Sequence, residues 1–322
     1  MIKKITLTII ILLFISGCNV IQNSQEDITT NRDFKIGTQG IEVNFLDNMP
    51  PSKIFEEDSF ELGLELNNKG AYDSKDVYIS RWYHFSSDFF EIEKGDNEIK
   101  KFPLRGKSAL YPNGEKKSFI WNLENKKFPE DERSPQELFS VDVCYDYETF
   151  FSGDICVDPY YNQVIDELKI EGSCITKDIT SSGQGAPIAV TKVETKPSIT
   201  NEKIKLTFYI TIENKKDGQL VGDSEKCSSE VGEVTVEEIQ FSDFYLYSGI
   251  NCKNFKKENG VTINNIIDLK DKKYTLVCNV ALDKTKSAYP TPLSIKLKYN
   301  YKIPVQSKKV KLVKVNDNSQ SK

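Results

Sequence analysis

The chain has 322 residues, of which 38% are hydrophobic and 28% charged, and its net charge is −5. This acidic balance argues against nucleic acid as a partner, because binding to phosphate backbones requires an excess of basic residues. The length favours two domains, since a single core seldom grows past roughly 250 to 300 residues.

The first seventeen residues have the layout of a lipoprotein signal peptide. Two lysines precede the apolar run 5–15, and Ser16 and Gly17 precede Cys18. The run is too short for a permanent membrane helix, and the small residues let a signal peptidase approach the backbone. We therefore expect cleavage after residue 17 and lipidation of Cys18, which would anchor the protein to the extracellular face of the cell membrane. The mature chain would carry 41 basic and 48 acidic residues, a net charge of −7.

The remaining chain is patterned for strands. Residues 18–36 are polar and predict a flexible tether, and residues 317–322 predict a disordered tail. Between them apolar residues alternate with polar ones, which is typical of half-buried antiparallel strands. The predicted strands are 41–45, 60–66, 77–83, 119–123, 141–147, 204–212, 274–282 and 295–301. The one predicted helix is 164–170.

An internal repeat divides the chain into two halves. The matching positions are Ile41 and Ile188, Pro51 and Pro197, Asn68 and Asn214, and Gly70 and Gly218. The predicted fold class is therefore all-β, with two tandem immunoglobulin-like antiparallel β-sandwich domains. The predicted domains are 37–160 and 186–316, and residues 161–185, which include Ser181–Gly185, are the predicted linker.

The segments 41–70 and 188–218 both read as an apolar strand, a proline, a spacer, an alternating strand and then asparagine and glycine. This order resembles the opening of the CARDB-type immunoglobulin-like domains of bacterial and archaeal surface proteins. The resemblance implies a seven-strand sandwich used for adhesion or as a spacer, and it implies no catalytic residues. It covers about thirty residues in each half.

Six cysteines remain once Cys18 is assigned to the lipid, and an oxidising compartment makes three disulfides the expected state. Alternation over 141–158, with a turn at 149–151, predicts a hairpin. Such a hairpin would place Cys144 opposite Cys156, within the span that a disulfide accepts.

The other pairings follow from neighbourhood and elimination. Cys278 is in phase with apolar positions of the strand 274–282, and Cys252 lies about one hairpin upstream, so these two are expected to pair. Cys174 and Cys227 then remain as the third pair.

The same hairpin register would bring four carboxylates together. Asp142 would face Asp158, and Asp146 would face Asp154, although like charges directly opposite each other are unfavourable. A screened acidic surface is the simpler interpretation. The alternative is a face covered by a partner or by Ca²⁺, which prefers oxygen ligands and would be the one expected cofactor.

Aromatic residues are densest just after residue 80. Trp82, Tyr83 and Phe85 could stack on a sugar, or half of them could belong to the core. His84 is the chain's single histidine, so a Ser-His-Asp or Cys-His site would have to include it. Hydrolysis by an Asp/Glu pair needs no histidine and stays open.

The sequence favours a lipid-anchored extracellular protein for binding, adhesion or display, without a catalytic role. Its expected partners are the membrane, through the lipid, and envelope proteins or glycans. The alternatives are a surface glycan hydrolase using an Asp/Glu pair, and a structural spacer or accessory subunit of a cell-envelope complex.

Overall fold

The computed structural model describes residues 33–80, 90–92, 100–127, 136–161, 174–200, 202–225, 227, 232–241, 246–253, 255, 257–258, 261–262, 265–284 and 287–315. These residues form an all-β structure whose helical segments are the 3-10 turns Asp33–Lys35 and Lys270–Lys272. The predicted signal peptide, the lipidation site Cys18, the predicted helix 164–170 and the tail 317–322 lie outside the described residues.

The described residues form twenty-one strands. In chain order they are β1 (Ile41–Phe45), β2 (Lys53–Phe55), β3 (Ser59–Asn68), β4 (Ser74–Ile79), β5 (Phe90–Ile92), β6 (Lys100–Leu104), β7 (Lys116–Asn125), β8 (Gln136–Glu137), β9 (Ser140–Val157), β10 (Ile179–Thr180), β11 (Ile188–Ile199), β12 (Lys203–Asn214), β13 (Gln219–Val221), β14 (Val234–Phe241), β15 (Leu246–Cys252), β16 (Lys257–Glu258), β17 (Val261–Thr262), β18 (Ile266–Ile267), β19 (Lys273–Asp283), β20 (Tyr289–Gln306) and β21 (Val310–Val313).

Each half contributes one sheet of its own, and a third sheet is common to both. The first half forms β1-β3-β7-β5, and the second forms β10-β11-β12-β19-β15. The shared sheet has the order β18-β14-β20-β9-β4-β6, with β13 also paired to β20. A small sheet, β2-β21-β8, brings the last strand of the chain back to the first half.

The alternating apolar residues form the interior between these sheets. On β3, Leu62, Leu64 and Leu66 are fully buried, as the period of two predicts. Phe102 of the shared sheet stacks at 4.7 Å between ring centroids on Phe119 of the first half's own sheet. The corresponding contact in the second half joins Phe208 and Phe241 at 5.6 Å. Each half is thus a two-layer structure that buries its apolar faces between a private sheet and the shared one.

The segment 141–158 is one continuous strand, so the predicted hairpin is wrong. β9 pairs antiparallel with β20 along all eighteen residues, from Ser140 opposite Gln306 to Val157 opposite Tyr289. The proposed tip contains Thr149 and Phe151, which are buried and have no turn-forming preference. The alternation was interpreted correctly, but the partner strand lies in the other half of the chain.

The two halves are therefore joined by more than a linker. Besides the β9–β20 ladder, the buried apolar residues of both halves form one contiguous core. Within the predicted linker, Gln184 is buried, and its side chain bonds the Val190 carbonyl at 3.0 Å and the Val190 N–H at 2.9 Å. Gly185 accepts from the Ala71 N–H at 2.8 Å, which ties this segment to the first half. The boundaries 37–160 and 186–316 remain a prediction.

The repeat found in the sequence has a structural counterpart. Ile41 lies opposite Asn68 in the β1–β3 ladder, and Ile188 lies opposite Asn214 in the β11–β12 ladder. Each asparagine then donates from its side-chain nitrogen to the carbonyl four residues later, at 2.8 Å to Tyr72 and at 2.9 Å to Gly218.

Each repeat asparagine is also held by a tyrosine. The Tyr147 hydroxyl donates to Asn68 Oδ1 at 3.0 Å, and the Tyr301 hydroxyl donates to Asn214 Oδ1 at 2.9 Å. The glycine of each repeat makes room for this contact, because a Cβ at Gly70 would overlap the Tyr147 hydroxyl and a Cβ at Gly218 would overlap the Tyr301 ring. The asparagine and glycine of the repeat are thus explained by one contact with the shared sheet.

Four tyrosines meet at the centre of the β9–β20 ladder. Tyr145 lies opposite Tyr301, and Tyr147 lies opposite Tyr299. The ring centroids are 5.4 Å apart for Tyr145 and Tyr147 and 5.8 Å apart for Tyr145 and Tyr301. They are 6.3 Å apart both for Tyr147 and Tyr299 and for Tyr299 and Tyr301, and all four contacts are edge-on or tilted. Burial raises the pKa of all four hydroxyls above the ordinary value near 10. This tyrosine cluster fixes the register of the halves.

Replacing Tyr147 with Phe tests the contact with Asn68. Tyr147→Phe removes one of the two donors to Asn68 Oδ1 and the hydroxyl that accepts from the Tyr72 N–H, so the free energy of unfolding should fall by about 1–2 kcal/mol. Tyr209→Phe, at an exposed site on β12, is the matched control and should stay within about 0.5 kcal/mol. Urea unfolding of both variants measures the difference, and equal effects would show that the hydroxyl contact contributes nothing.

The buried tyrosines also predict a loss of stability at high pH. Their pKa values are raised in the folded state, so the unfolded chain releases these protons first. The contribution is present below about pH 10 and is lost as the pH rises further. We expect phenolate absorbance at 295 nm to appear in two stages, the second coinciding with loss of the strand circular dichroism. A single stage near pH 10 with the fold intact would contradict this assignment.

Candidate functional site

A groove of about 1130 Å³ lies over the seam where β9 and β20 pair. Its floor is made by side chains that alternate outward from these two strands. From β9 they are Asp146, Glu148 and Phe150, and from β20 they are Lys296, Lys298 and Asn300. The neighbouring inward positions are the buried tyrosines, so the pleat alone separates the core from the groove.

The walls of the groove come from different halves of the chain. Residues 71–75 and 107–108 of the first half stand on one side, with Lys35. Residues 221–222 and 232–235 of the second half stand on the other. The groove therefore exists because the halves share a sheet.

Asp146 is fixed by the start of β4. Its Oδ1 accepts hydrogen bonds from the Ser74 hydroxyl and from the backbone N–H groups of Lys75 and Asp76, each at 2.9 Å. Three donors on one carboxylate oxygen hold the wall to the floor at this point. With three donors bound, this oxygen has no free position at which to accept a hydrogen bond from a ligand.

The other floor charges form an ion-pair network. Lys296 lies 3.4 Å from Glu148 and 2.9 Å from Glu237, and Lys298 also pairs with Glu237. Hydrogen bonds from Lys298 and then Lys296 lower the pKa of Glu237, and the bond to Glu237 raises the pKa of Lys296. Because these side chains are partly exposed, the network orders the floor more than it stabilises the fold.

An ammonium group is held against aromatic rings at one wall. Lys35 Nζ lies 5.9 Å from the ring centroid of Tyr72 and 5.5 Å from that of Phe150. Tyr72 is itself fixed, since its hydroxyl donates to the Phe150 carbonyl at 3.2 Å and accepts from the Phe150 N–H at 2.9 Å. Burial raises the pKa of Tyr72 to about 12, so its hydroxyl is neutral at physiological pH.

The disulfides correct two of the three predicted pairings. The bridges are Cys144–Cys227, Cys156–Cys174 and Cys252–Cys278, so the last pair is as expected. Cys144 and Cys156 lie on one extended strand, about 40 Å apart by twelve residues of rise, far beyond a disulfide's reach. The pairings Cys144–Cys156 and Cys174–Cys227 were therefore wrong because the hairpin was wrong.

The Cys144–Cys227 bridge shapes the groove. Cys144 lies on the outward face of β9, two residues from Asp146, and Cys227 belongs to the segment between β13 and β14 whose two ends form the second wall. A Cβ at Gly232 would overlap the backbone of Val221, which shows how closely these two ends approach each other. The bridge thus holds one wall of the groove onto the floor.

The predicted acidic face does not form. On a continuous β9, Asp142 and Asp158 lie near opposite ends, and Asp146 and Asp154 are eight residues apart. Each has its own surroundings: Asp142 pairs with Lys302 at 3.5 Å, Asp158 accepts from the Tyr160 N–H at 2.8 Å, and Asp154 is exposed. The proposed Ca²⁺ or partner face on these four carboxylates is withdrawn, since its register is wrong.

The remaining sequence-predicted site falls outside the described residues. Trp82, Tyr83 and Phe85, with His84, lie in the segment 81–89, which the structure does not describe. Within the described ranges, no group of three or more His, Cys, Asp or Glu side chains is placed to hold a metal ion. Among those same ranges, none of the helical segments has the length and apolarity of a membrane span.

Sequence analysis singled out Asp146, although as part of an acidic face that does not form, and it missed the other groove residues. The outward positions of β9 and β20 follow from alternation in 141–147 and 295–301, so a pattern for each strand was present. What the pattern does not contain is that these two strands are neighbours. Lys35, Tyr72 and Lys107 come from connecting segments and carry no periodic signal at all.

Comparisons with known proteins identify no relatives by sequence. No protein-family model matches the chain, and no curated protein matches it. Among solved structures, a protein of unknown function from Porphyromonas gingivalis W83 is similar at 10% identity and a TM-score of 0.18, covering 76% of this chain and 83% of its own. A DUF4466 family protein from Parabacteroides merdae ATCC 43184 is similar at 10% identity and a TM-score of 0.15, covering 83% of this chain and 100% of its own. At these TM-scores neither likeness bears on fold or function.

The Cys144–Cys227 bridge, which joins the two halves, should contribute more to the free energy of unfolding than the Cys156–Cys174 bridge. The chain-entropy relation gives about 4–5 kcal/mol for the 83-residue separation of Cys144 and Cys227, and about 3 kcal/mol for the 18-residue separation of Cys156 and Cys174. The double variant C144A/C227A should therefore unfold at a lower urea concentration than C156A/C174A. Peptide mapping without reductant provides the check, and a peptide linking Cys144 to Cys156 would refute the pairing.

Proposed function

We propose that the protein binds a ligand of the cell exterior in the groove over the β9–β20 seam, at the surface of the membrane to which Cys18 anchors it. The observation that carries this proposal is the groove itself. Its floor is a continuous ladder, its walls come from both halves, and one wall is held by a disulfide. Ligands bind preferentially in concave surfaces of this kind, where polar groups from several elements converge.

The cysteines support the proposed extracellular location. Six of the seven cysteines form three disulfides, and disulfides persist mainly in oxidising compartments. The seventh, Cys18, stands where a lipoprotein signal would place the lipid. Both features favour secretion followed by anchoring.

We also propose that each half is an immunoglobulin-like sandwich of the CARDB type. The two-layer packing of each half and the asparagine and glycine repeat support this proposal. In such domains the sandwich is a scaffold, and recognition belongs to grooves and loops built on it.

A surface glycan hydrolase is the second candidate, because four carboxylates line the same groove. They are Asp73, Asp146, Glu148 and Glu233. Asp146 and Asp73 accept backbone N–H groups and Glu148 is paired with Lys296, so three of these four carboxylates are engaged by groups of the protein. Binding without turnover is the better-supported reading of these contacts.

The proposal is tested by filling the groove. Thr235→Trp places a large side chain in the wall, and Thr207→Trp, at a similarly half-exposed site on β12, is the matched control. We expect the mature Cys18→Ser chain to bind envelope fragments of the producing cells saturably, Thr235→Trp to weaken that binding at least about tenfold, and Thr207→Trp to leave it unchanged.

Melting temperatures of both tryptophan variants show whether either has lost its fold. Saturable binding that Thr235→Trp leaves intact would overturn the groove as the site. Release of reducing sugar ends from the fragments, abolished by Glu148→Gln, would favour the hydrolase. Copurification with envelope proteins without any glycan retention would favour the spacer or accessory subunit.

A further inference from the structure

The acids of the groove are largely committed to partners. Asp146 accepts three hydrogen bonds, Asp73 accepts the Gly106 N–H at 2.8 Å, and Glu148 lies 3.4 Å from Lys296. Hydrogen bonds satisfy oxygens of Asp73 and Asp146 without cancelling their charges, whereas Glu148 has the Lys296 ammonium group beside it. An incoming ligand meets them as a structured floor and wall.

Three lysines of the groove are different. Lys35, Lys75 and Lys107 line the wall contributed by the first half, and among the described residues none of their ammonium groups is within ion-pair distance of a carboxylate. Lys35 is held in place by the rings of Tyr72 and Phe150 rather than by an acid. Among the residues that line the groove, this wall therefore carries three ammonium groups against the one carboxylate of Asp73, an excess of positive charge on a protein whose net charge is negative.

The rest of the lining is suited to hydroxyl groups. Ser108, Thr235 and Asn300 offer hydroxyl and amide groups, and Glu233 offers an exposed carboxylate on the opposite wall. These are the groups that form hydrogen bonds with sugar hydroxyls. The volume of about 1130 Å³ lies just above the range of roughly 300 to 1,000 Å³ for small-molecule sites, so more than one sugar unit fits.

Resting on the proposed binding function, we propose that the groove binds an acidic saccharide, with sugar carboxylates at Lys35, Lys75 and Lys107 and sugar hydroxyls at the hydroxyl and amide groups of the floor and both walls. Charge-assisted hydrogen bonds from the ammonium groups supply the selectivity for an acidic over a neutral sugar. The carboxylates Asp73, Asp146, Glu148 and Glu233 repel a densely charged polyanion, so the ligand carries sparse charges, of the order of one per sugar.

The test uses the mature Cys18→Ser chain and defined probes in isothermal titration calorimetry. The probes are an oligogalacturonate and a hyaluronan oligomer, a malto-oligosaccharide of the same length, and inorganic polyphosphate. We expect the two acidic oligosaccharides to bind, with an affinity that falls as salt is raised, and the neutral oligosaccharide and polyphosphate to bind at least about tenfold more weakly.

Paired lysine variants locate the site. K75A/K107A should weaken binding of the acidic oligosaccharides by about tenfold or more. K196A/K205A removes the same charge from exposed positions on β11 and β12, away from the groove, and should bind like the parent chain. Loss of binding in both double variants would show a net-charge effect rather than a site, and would overturn the proposal.

The failure of this inference is distinct from failure of the proposed function. If neither acidic oligosaccharide binds, while Thr235→Trp still abolishes binding to envelope fragments, the groove is a binding site for another ligand and the acidic saccharide is wrong. If neutral and acidic oligosaccharides bind equally well, the wall of Lys35, Lys75 and Lys107 does not discriminate between them and the inference is wrong. If envelope fragments do not bind at all, the proposed function itself fails.

Discussion

The antiparallel pairing of β9 with β20 is the interaction on which the rest of the structure depends. It extends over eighteen residues of each strand and joins sheets from the two halves into one. Its inward side chains form the cluster of four buried tyrosines, and its outward side chains form the floor of the groove. A change of one residue in this register would exchange the two faces, so core and site are specified together.

Local pattern predicted the strands but not their partners. The period of two located Ile41–Phe45 as observed and assigned Cys144 and Cys156 to one face of β9, because such assignments need only neighbouring residues. The partner of β9 is about 150 residues away, and nothing in its alternation distinguishes a distant strand from a hairpin. Cys252–Cys278 was predicted because its strands β15 and β19 are close in sequence. Cys156 and Cys174 are closer still, but their bridge was missed because the hairpin had already paired Cys156 with Cys144.

The internal repeat predicted more of the tertiary structure than the alternation did, because its asparagine and glycine residues contact a strand that is distant in sequence. Asn68 and Asn214 recur since each caps the end of an equivalent strand and accepts a tyrosine hydroxyl from the shared sheet. Gly70 and Gly218 recur since no side chain fits beside that tyrosine. The site could not be predicted in the same way, because its walls lie largely in connecting segments and at strand ends, where the two halves differ.

The difference between the halves explains why the groove opens on one side of the central pair of the ladder. Two residues from the central pair Asp146–Asn300, the ladder has Glu148 opposite Lys298 in one direction and Cys144 opposite Lys302 in the other. These are equivalent places, yet the Lys298 side chain is 51% exposed and the Lys302 side chain 13%. The Cys144–Cys227 bridge brings its segment over the second place, whereas the first is left open. A symmetric floor thus becomes an asymmetric site through one covalent bond, which fixes on which side of the seam a ligand has access.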